Sequence, residues 1–427
     1  MEHLKTLALY ALDALQQRGA EHASCYIKRN NTTEANYENC EYTLMRTFSA
    51  DKCILKASSG QKVGSATVYL LSAEEIDAAA DQCIERMKDA PDDEYAAIWE
   101  SNDVRSFVKG ELEPDADGIL KSIEGCIAYQ AERTPDDPLK EIIIEHHRMQ
   151  ELFFSTYGAR LDSDLGYYQM KRAYKPDLRD GFAGFGEMTE PFDPAVKKVE
   201  KKPLEAPFVG TAVYCPRSLY RDWLLLHVTF LSEDSTLGEN GTKHKWADKF
   251  GEQVTSPLFS ISCMPLDPRI CNASPFTPDG VVLQNTPLIE KGVLRDLWYS
   301  LKTARKLGRT PDMQTVDFFD DTTWSTTSYI IEPGSTPLSE IIAGIEKGII
   351  IYAMPGSTPN DNDGNITGLI REGMLIENGK VVRPISEVSV RANFFDMYNN
   401  IRAVSAETTH MGGDILPWIA FDGIRFQ

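Results

Sequence analysis

Residues 216–234, PRSLYRDWLLLHVTFLSED, read as a helix that is apolar on every side. Pro216 suits the first helical position, where its missing N–H costs nothing, and Leu219, Trp223, Leu226, Phe230 and Leu231 recur at three- and four-residue spacing. Leu224, Leu225 and Val228 make the other side apolar too, so the helix is expected inside a domain with layers on both faces. One imidazole, His227, interrupts it. A metal-binding role would require a second histidine or carboxylate about one turn further on, and the sequence supplies Val228, Leu231 and Ser232 instead. A core histidine bonded to backbone is the favoured reading, and a catalytic or ligand histidine is the alternative.

Working outward, 427 residues exceed a usual single domain, so two domains are expected. Lys+Arg 44 against Asp+Glu 64 leaves a net charge of −20, which repels phosphate backbones and anionic lipid alike. Direct nucleic-acid and membrane binding are therefore disfavoured. The one locally basic run, residues 197–202 (KKVEKK), reads as a solvated linker. Eight cysteines (Cys25, Cys40, Cys53, Cys83, Cys126, Cys215, Cys263, Cys271) are scattered without a CxxC pair, as expected of free thiols in a reducing cytoplasm. The first residues form an amphipathic helix rather than a signal peptide, and no stretch has the roughly twenty apolar residues of a membrane span.

Along the chain, Leu4, Leu7, Ala8, Ala11, Leu12 and Leu15 make a helical stripe that Gly19 ends. Strands are expected at residues 24–28, 36–46, 52–57 and 64–70. Ser72 and Glu75 form a capping box, after which Ile76, Ala80, Cys83, Ile84 and Met87 face one way. Acidic connectors at 89–94 and 111–117 flank Tyr95 and Trp99, and a third helix runs over 115–133. Residues 141–145, 151–157 and 166–173 read as strands of a second small sheet. His146 and His147, on opposite faces of a strand, cannot chelate one ion and are expected exposed at a strand end. The glycines of GFAGFG, 181–186, have the wrong order for a dinucleotide fingerprint and read as a loop.

A proline- and lysine-rich stretch, 191–207, marks the domain boundary. Beyond it, short apolar runs at 258–263, 281–283, 288–290, 329–331, 349–352, 369–376, 381–383 and 388–391 imply a largely β domain. Asp279-Gly280 and Asn378-Gly379 are tight-turn dipeptides, and short helices are expected near 300–307, 336–348 and 394–401. The expected fold is α+β: an N-terminal α/β layered domain over 1–200, with subdomains about 1–95 and 110–190, then a mainly β C-terminal domain over 201–427 around a buried central helix.

Motif chemistry is sparse. There is no GxSxG elbow and no GxxxxGK phosphate loop; SGQK at 59–62 falls in a turn, and DNDG at 361–364 has its glycine too early for a calcium loop. Residues 286–308 (TPLIEKGVLRDLWYSLKTARKLG) and 377–404 (ENGKVVRPISEVSVRANFFDMYNNIRAV) resemble the TldD/PmbA family, whose branches are described as modulators of DNA gyrase or metalloproteases. QVTSPL (253–258), PFTPDGV (275–281), GSATVYLLSAEEI (64–76), DDEYAAIW (92–99) and the first helix extend the likeness over essentially the whole chain.

The TldD branch carries HExxxH on the central helix and a cysteine ligand near the C-terminus, a zinc site with glutamate as base. Here His227 matches the first histidine, while Val228 replaces the glutamate and Ser232 the second histidine; the last cysteine is Cys271, and His410 in TTHMGGD lies in the neighbourhood of the missing one. The sequence is therefore similar to the PmbA (TldE) branch. The resemblance implies a subunit without zinc of its own, paired with a zinc-bearing TldD-like metalloprotease subunit, binding unfolded peptide and self-associating as a homodimer when alone. A metallopeptidase in its own right, with a divergent site drawn from His227, His410 and a carboxylate such as Glu233 or Asp234, is the alternative reading.

Overall fold

A computed structural model describes residues 1–133, 141–175, 178–184, 201–219, 245–246, 248–297, 301–309, 328–354, 363–385, 387–411 and 413–427. The chain is mixed α+β and mostly strand. It divides into two compact units, one comprising Met1–Phe192, Pro265–Gln284 and Tyr299–Thr326, the other Asp193–Met264, Asn285–Trp298 and Thr327–Gln427. Two segments from the second half of the sequence thus return to the first unit, something no compositional shift announces.

Unit 1 contains α1 (Glu2–Gln17), β1 (His22–Glu38), β2 (Glu41–Ser59), β3 (Lys62–Val68), α2 (Ala73–Asp89), β4 (Val104–Lys109), α3 (Ala116–Arg133), β5 (Glu141–Ser155), β6 (Arg160–Lys175) and β7 (Leu178–Gly184). These strands form one seven-stranded sheet in the order β3-β2-β1-β5-β6-β4, with β7 also on β6. Strand β5 pairs with β1 from Ser24↔Ser155 to Glu38↔Glu141, so the two small sheets expected from the sequence are one. Residues 36–46 are not a single strand either: the β1–β2 turn falls inside them, at Asn39 and Cys40, which take positive φ of 49° and 67°. Neither is a glycine, so no glycine dipeptide marks the turn in the sequence. Gly181–Gly184, expected as a loop, lie in β7.

Period-two alternation gives this sheet two different faces. Cys25, Ile27, Cys53, Leu55, Leu152 and Phe154 point to one of them and form a core with the inner stripes of α1 and α2. Gly64 permits the close approach of α2, since a Cβ there would collide with the Cys83 carbonyl and the Met87 backbone. The capping Ser72 accepts from Glu75 N at 3.2 Å. Further along the same face α3 takes over, with Ile119 and Ile123 buried and Cys126 Sγ 3.4 Å from Met170 Sδ. On the opposite face Tyr26, Ile54, Phe153, Ala159 and Leu161 gather around Phe276, supplied by the returning 265–284 segment.

Unit 2 begins at β8 (Phe208–Tyr214) and a one-turn α4 (Pro216–Ser218), whose cap Cys215 accepts from Ser218 N. The helix expected over 216–234 lies outside the described residues beyond Leu219. There follow β9 (Ile261–Cys263), β10 (Thr286–Glu290) and β11 (Val293–Leu294); α5 (Leu301–Lys306) belongs to unit 1. The run continues with β12 (Tyr329–Ile331), α6 (Leu338–Ala343), β13 (Lys347–Ala353), β14 (Asn365–Ile370), β15 (Glu372–Glu377), β16 (Lys380–Pro384), β17 (Val388–Asn393), α7 (Phe394–Asn399), β18 (Ile401–His410) and β19 (Ile415–Phe426). The twelve described strands of this unit form one sheet, β11-β10-β9-β12-β19-β8-β13-β15-β16, with β14, β17 and β18 branching through β19. Asn378-Gly379, both at positive φ, make the β15–β16 hairpin as the dipeptide predicts. Residues 281–283, expected as a strand, make only an isolated bridge, Phe276↔Val282. Asn393 caps α7 by accepting from Phe395 and Asp396 N, and Phe394, Phe395 and Tyr398 then pack with Trp246.

Gly280, at φ +84°, turns the returning segment directly against the Phe153 ring, where any Cβ would land on ring atoms. Gly280→Ala is expected to lose about 2–4 kcal/mol, combining left-handed strain with overpacking. Gly251→Ala, at φ +78° with nothing within 4 Å of its Cβ, should lose only about 1 kcal/mol, strain alone. Denaturant melts of both variants check the difference.

Candidate functional site

Of the residues singled out for metal chemistry, His227, Glu233 and Asp234 lie outside the described residues. His410 ends β18, half-buried, opposite Ile415. Next to this hairpin Asp414 is buried and accepts from Tyr329 N at 2.6 Å. Burial pushes its carboxyl up to about 7, against the smaller opposing effect of that backbone bond. Cys263, paired with Tyr329 across β9 and β12, is likewise held well above the usual thiol range by burial. Among the described residues no three His, Cys, Asp or Glu side chains converge in a way that would hold a metal ion.

The histidine pair is not exposed at a strand end. His146 and His147 sit in the interior of β5 at 1% and 8% exposure. As alternation requires, they do face opposite ways. His146 Nε2 meets the Glu111 carbonyl at 2.7 Å on the face that α3 covers, and burial lowers its pKa. His147 joins a row of polar side chains on the other face.

That row follows from register. Thr32 stands opposite His147, Asn30 opposite Met149 and Lys28 opposite Glu151, so these alternate residues of β1 and β5 share one face with Tyr26 and Glu145. His147 Nδ1 lies 3.0 Å from Thr32 Oγ1 and 3.2 Å from Asn30 Nδ2, and the ring stacks on Tyr167. Tyr26 Oη donates to Glu151 Oε1 at 2.5 Å, and Lys28 Nζ is 3.5 Å from the same oxygen. Burial raises the Tyr26 and Tyr167 phenols well out of their ordinary range. Three buried atoms of this row, Asn30 Oδ1, His147 Nε2 and Glu151 Oε2, have no hydrogen-bond partner among the described residues. Buried polar groups left unsatisfied cost free energy, so they cluster where something other than stability is being served. The signal in the sequence is the alternation of Glu145, His147 and Glu151 along EHHRMQE, visible only once β5 is known to be continuous.

Glu145 closes the row. Its Oε2 is 2.8 Å from Lys171 Nζ and 3.4 Å from His147 Nε2, the latter without the alignment of a hydrogen bond. Burial opposes ionisation here, yet the neighbouring His147 ring and Lys171 ammonium outweigh it and hold the carboxyl down at about 2. A depressed carboxyl pKa stabilises the fold above the unfolded value and loses that stabilisation as pH falls. Glu145→Gln is therefore expected to be about 1–2 kcal/mol less stable than the parent at neutral pH, the difference vanishing between about pH 4.5 and pH 2 in paired acid melts.

Residues 225–427 match the PmbA/TldA metallopeptidase C-terminal domain. A metalloprotease PmbA homolog of Haemophilus influenzae is 24% identical over 164 residues, 38% of this chain and 34% of that one. A zinc metalloprotease TldD homolog of Saccharolobus solfataricus is 24% identical over 181 residues, 42% of this chain and 40% of that one. The matches thus span well under half the length of these relatives. In fold, the chain resembles TldE of Thermococcus kodakarensis with a TM-score of 0.80 at 19% identity, covering 97% of this chain and 98% of that one. A Bacteroides thetaiotaomicron protein named as a modulator of DNA gyrase gives 0.78 at 19% identity, covering 100% and 99%. Residues 225–427 thus carry the PmbA/TldA metallopeptidase C-terminal domain, and the chain is similar to PmbA and TldD metalloprotease homologues.

Proposed function

We propose that this chain is a TldE-like subunit of a TldD/TldE-type peptidase, binding unfolded peptide and completing the cleft of a zinc-bearing TldD-like partner. The observation that carries this reading is the pair of replacements at the position of the family's metal motif: Val228 where a general base belongs and Ser232 where the second histidine belongs. A valine cannot accept a proton from water, and a neutral serine is a poor substitute for an imidazole ligand. His227 on its own then keeps the reading its sequence context favours, a core histidine rather than a ligand. The row Asn30, His147 and Glu151 gives unit 1 polar groups with unused bonding capacity, which suits a chain that recognises substrate without cleaving it. The names of the relatives, metalloprotease among them, favour one second reading, a peptidase in its own right. A role in binding DNA directly is opposed by the net charge of −20. Among the described residues no helix is long and apolar enough to cross a membrane.

The test mixes the purified chain with a TldD-like homologue and follows co-elution and cleavage of an unfolded peptide. Co-elution, and cleavage only in the mixture, is the expected result. Cleavage by this chain alone, abolished by a chelator, would establish the second reading instead. His227→Ala should cost about 1–3 kcal/mol of stability and leave bound zinc unchanged.

A further inference from the structure

The polar row of unit 1 is open on the side of β2. On the face that carries Lys28, Asn30 and Thr32, register sets Lys52, Ala50 and Phe48 opposite them. Ala50 is the small residue between two long ones, and it is exposed. Asn30, one strand further in, is half-buried, whereas Glu151 and Thr32 are each 1% exposed. A group that enters over Ala50 meets Asn30 first. Glu151 lies next to it, opposite Lys28 and one step along the same face.

Hydrogen-bonding capacity selects the occupant. Asn30 Nδ2 is engaged by Thr32 Oγ1 at 3.3 Å and by His147 Nδ1 at 3.2 Å, which turns Oδ1 away from the ring and leaves it without a partner among the described residues. Glu151 accepts from Tyr26 Oη through Oε1, and its Oε2 is likewise unpartnered among the described residues. Lys28 Nζ, 3.5 Å from Oε1, balances the carboxylate charge from beyond hydrogen-bond distance, so its N–H groups can serve another acceptor. Two acceptors and one donor, with their charges paired, call for a neutral ligand that offers two N–H groups and one carbonyl. Lys28 repels an ammonium and Glu151 repels a carboxylate. A main-chain amide brings one N–H and a hydroxyl one O–H, but a primary carboxamide brings two N–H groups and a carbonyl.

We propose that Asn30, Glu151 and Lys28 form a subsite for a primary carboxamide, the side chain of a glutamine or asparagine in a bound peptide, which rests on the reading of this chain as a peptide-binding subunit. The carboxamide N–H groups donate to Asn30 Oδ1 and Glu151 Oε2, its carbonyl accepts from Lys28 Nζ, and His147 is a positioning residue that fixes the Asn30 amide. Such a site rejects a ligand without N–H donors, because its own acceptors then stay buried and unpaired. Titration calorimetry of the full chain, without a partner, is run with acetylated and amidated Gly-Ser nonapeptides that carry Gln, Glu or Met at the centre. The Gln peptide should bind at least about tenfold more tightly than the other two. Glu151→Gln removes the negative charge beside Lys28, so it should reverse the preference of Gln over Glu while the thermal melt stays that of the parent. Should that variant not fold, the three peptides on the parent chain decide alone. Equal affinity for all three, or a Gln preference that survives in folded Glu151→Gln, overturns the subsite and leaves the subunit reading standing. Absence of binding by every peptide overturns the subsite together with peptide binding by this chain, while co-elution with a TldD-like homologue is judged separately.

Discussion

Strand length is the constraint from which unit 1 follows. Strands β1, β2, β5 and β6 run for 17, 19, 15 and 16 residues. At ~3.3 Å per residue such a sheet extends about 50 Å, whereas a helix of similar residue count spans about 25 Å. One helical layer cannot cover a face of that length. The chain therefore lays α1 and α2 on one end and α3 on the other end of the same face. The opposite face receives no helix among the described residues of unit 1; apolar residues under Phe276 hold one end, and the polar row from Glu151 to Glu145 occupies the rest.

That asymmetry governs what the sequence makes legible. The helices are legible because their stripes, caps and stops are local: Leu4 to Leu15 before Gly19, Ser72 with Glu75, and residues 116–133 all form as patterned. Long strands with one polar face read differently. Tyr26, Lys28, Asn30, Thr32 and Glu34 break the apolar run that signals a strand, so β1 and β2 read in pieces and their turn at Asn39 reads as strand interior. The same polarity makes His146 and His147 look like a solvated strand end. Burial of polar side chains is decided by partners far away in sequence, Glu111, Thr32 and Tyr167 in this case, and no local pattern encodes it.

The family resemblance is legible for a different reason. Blocks such as 377–404 combine a glycine turn, a capping asparagine and an aromatic helix, and every one of these residues has a fixed structural role. Asn378-Gly379 makes the hairpin, Asn393 the cap, and Phe394, Phe395 and Tyr398 the packing with Trp246.

The return of residues 265–284 to unit 1 has a consequence for biosynthesis. A chain emerging from the ribosome completes α1 to β7 early, yet Tyr26, Phe153 and Leu161 wait for Phe276 and the Gly280 turn, which arrive only after the opening strands of unit 2. During that interval an apolar patch on a long sheet is open to solvent. Translation speed through the first part of unit 2 therefore sets how long that patch stays uncovered on the nascent chain.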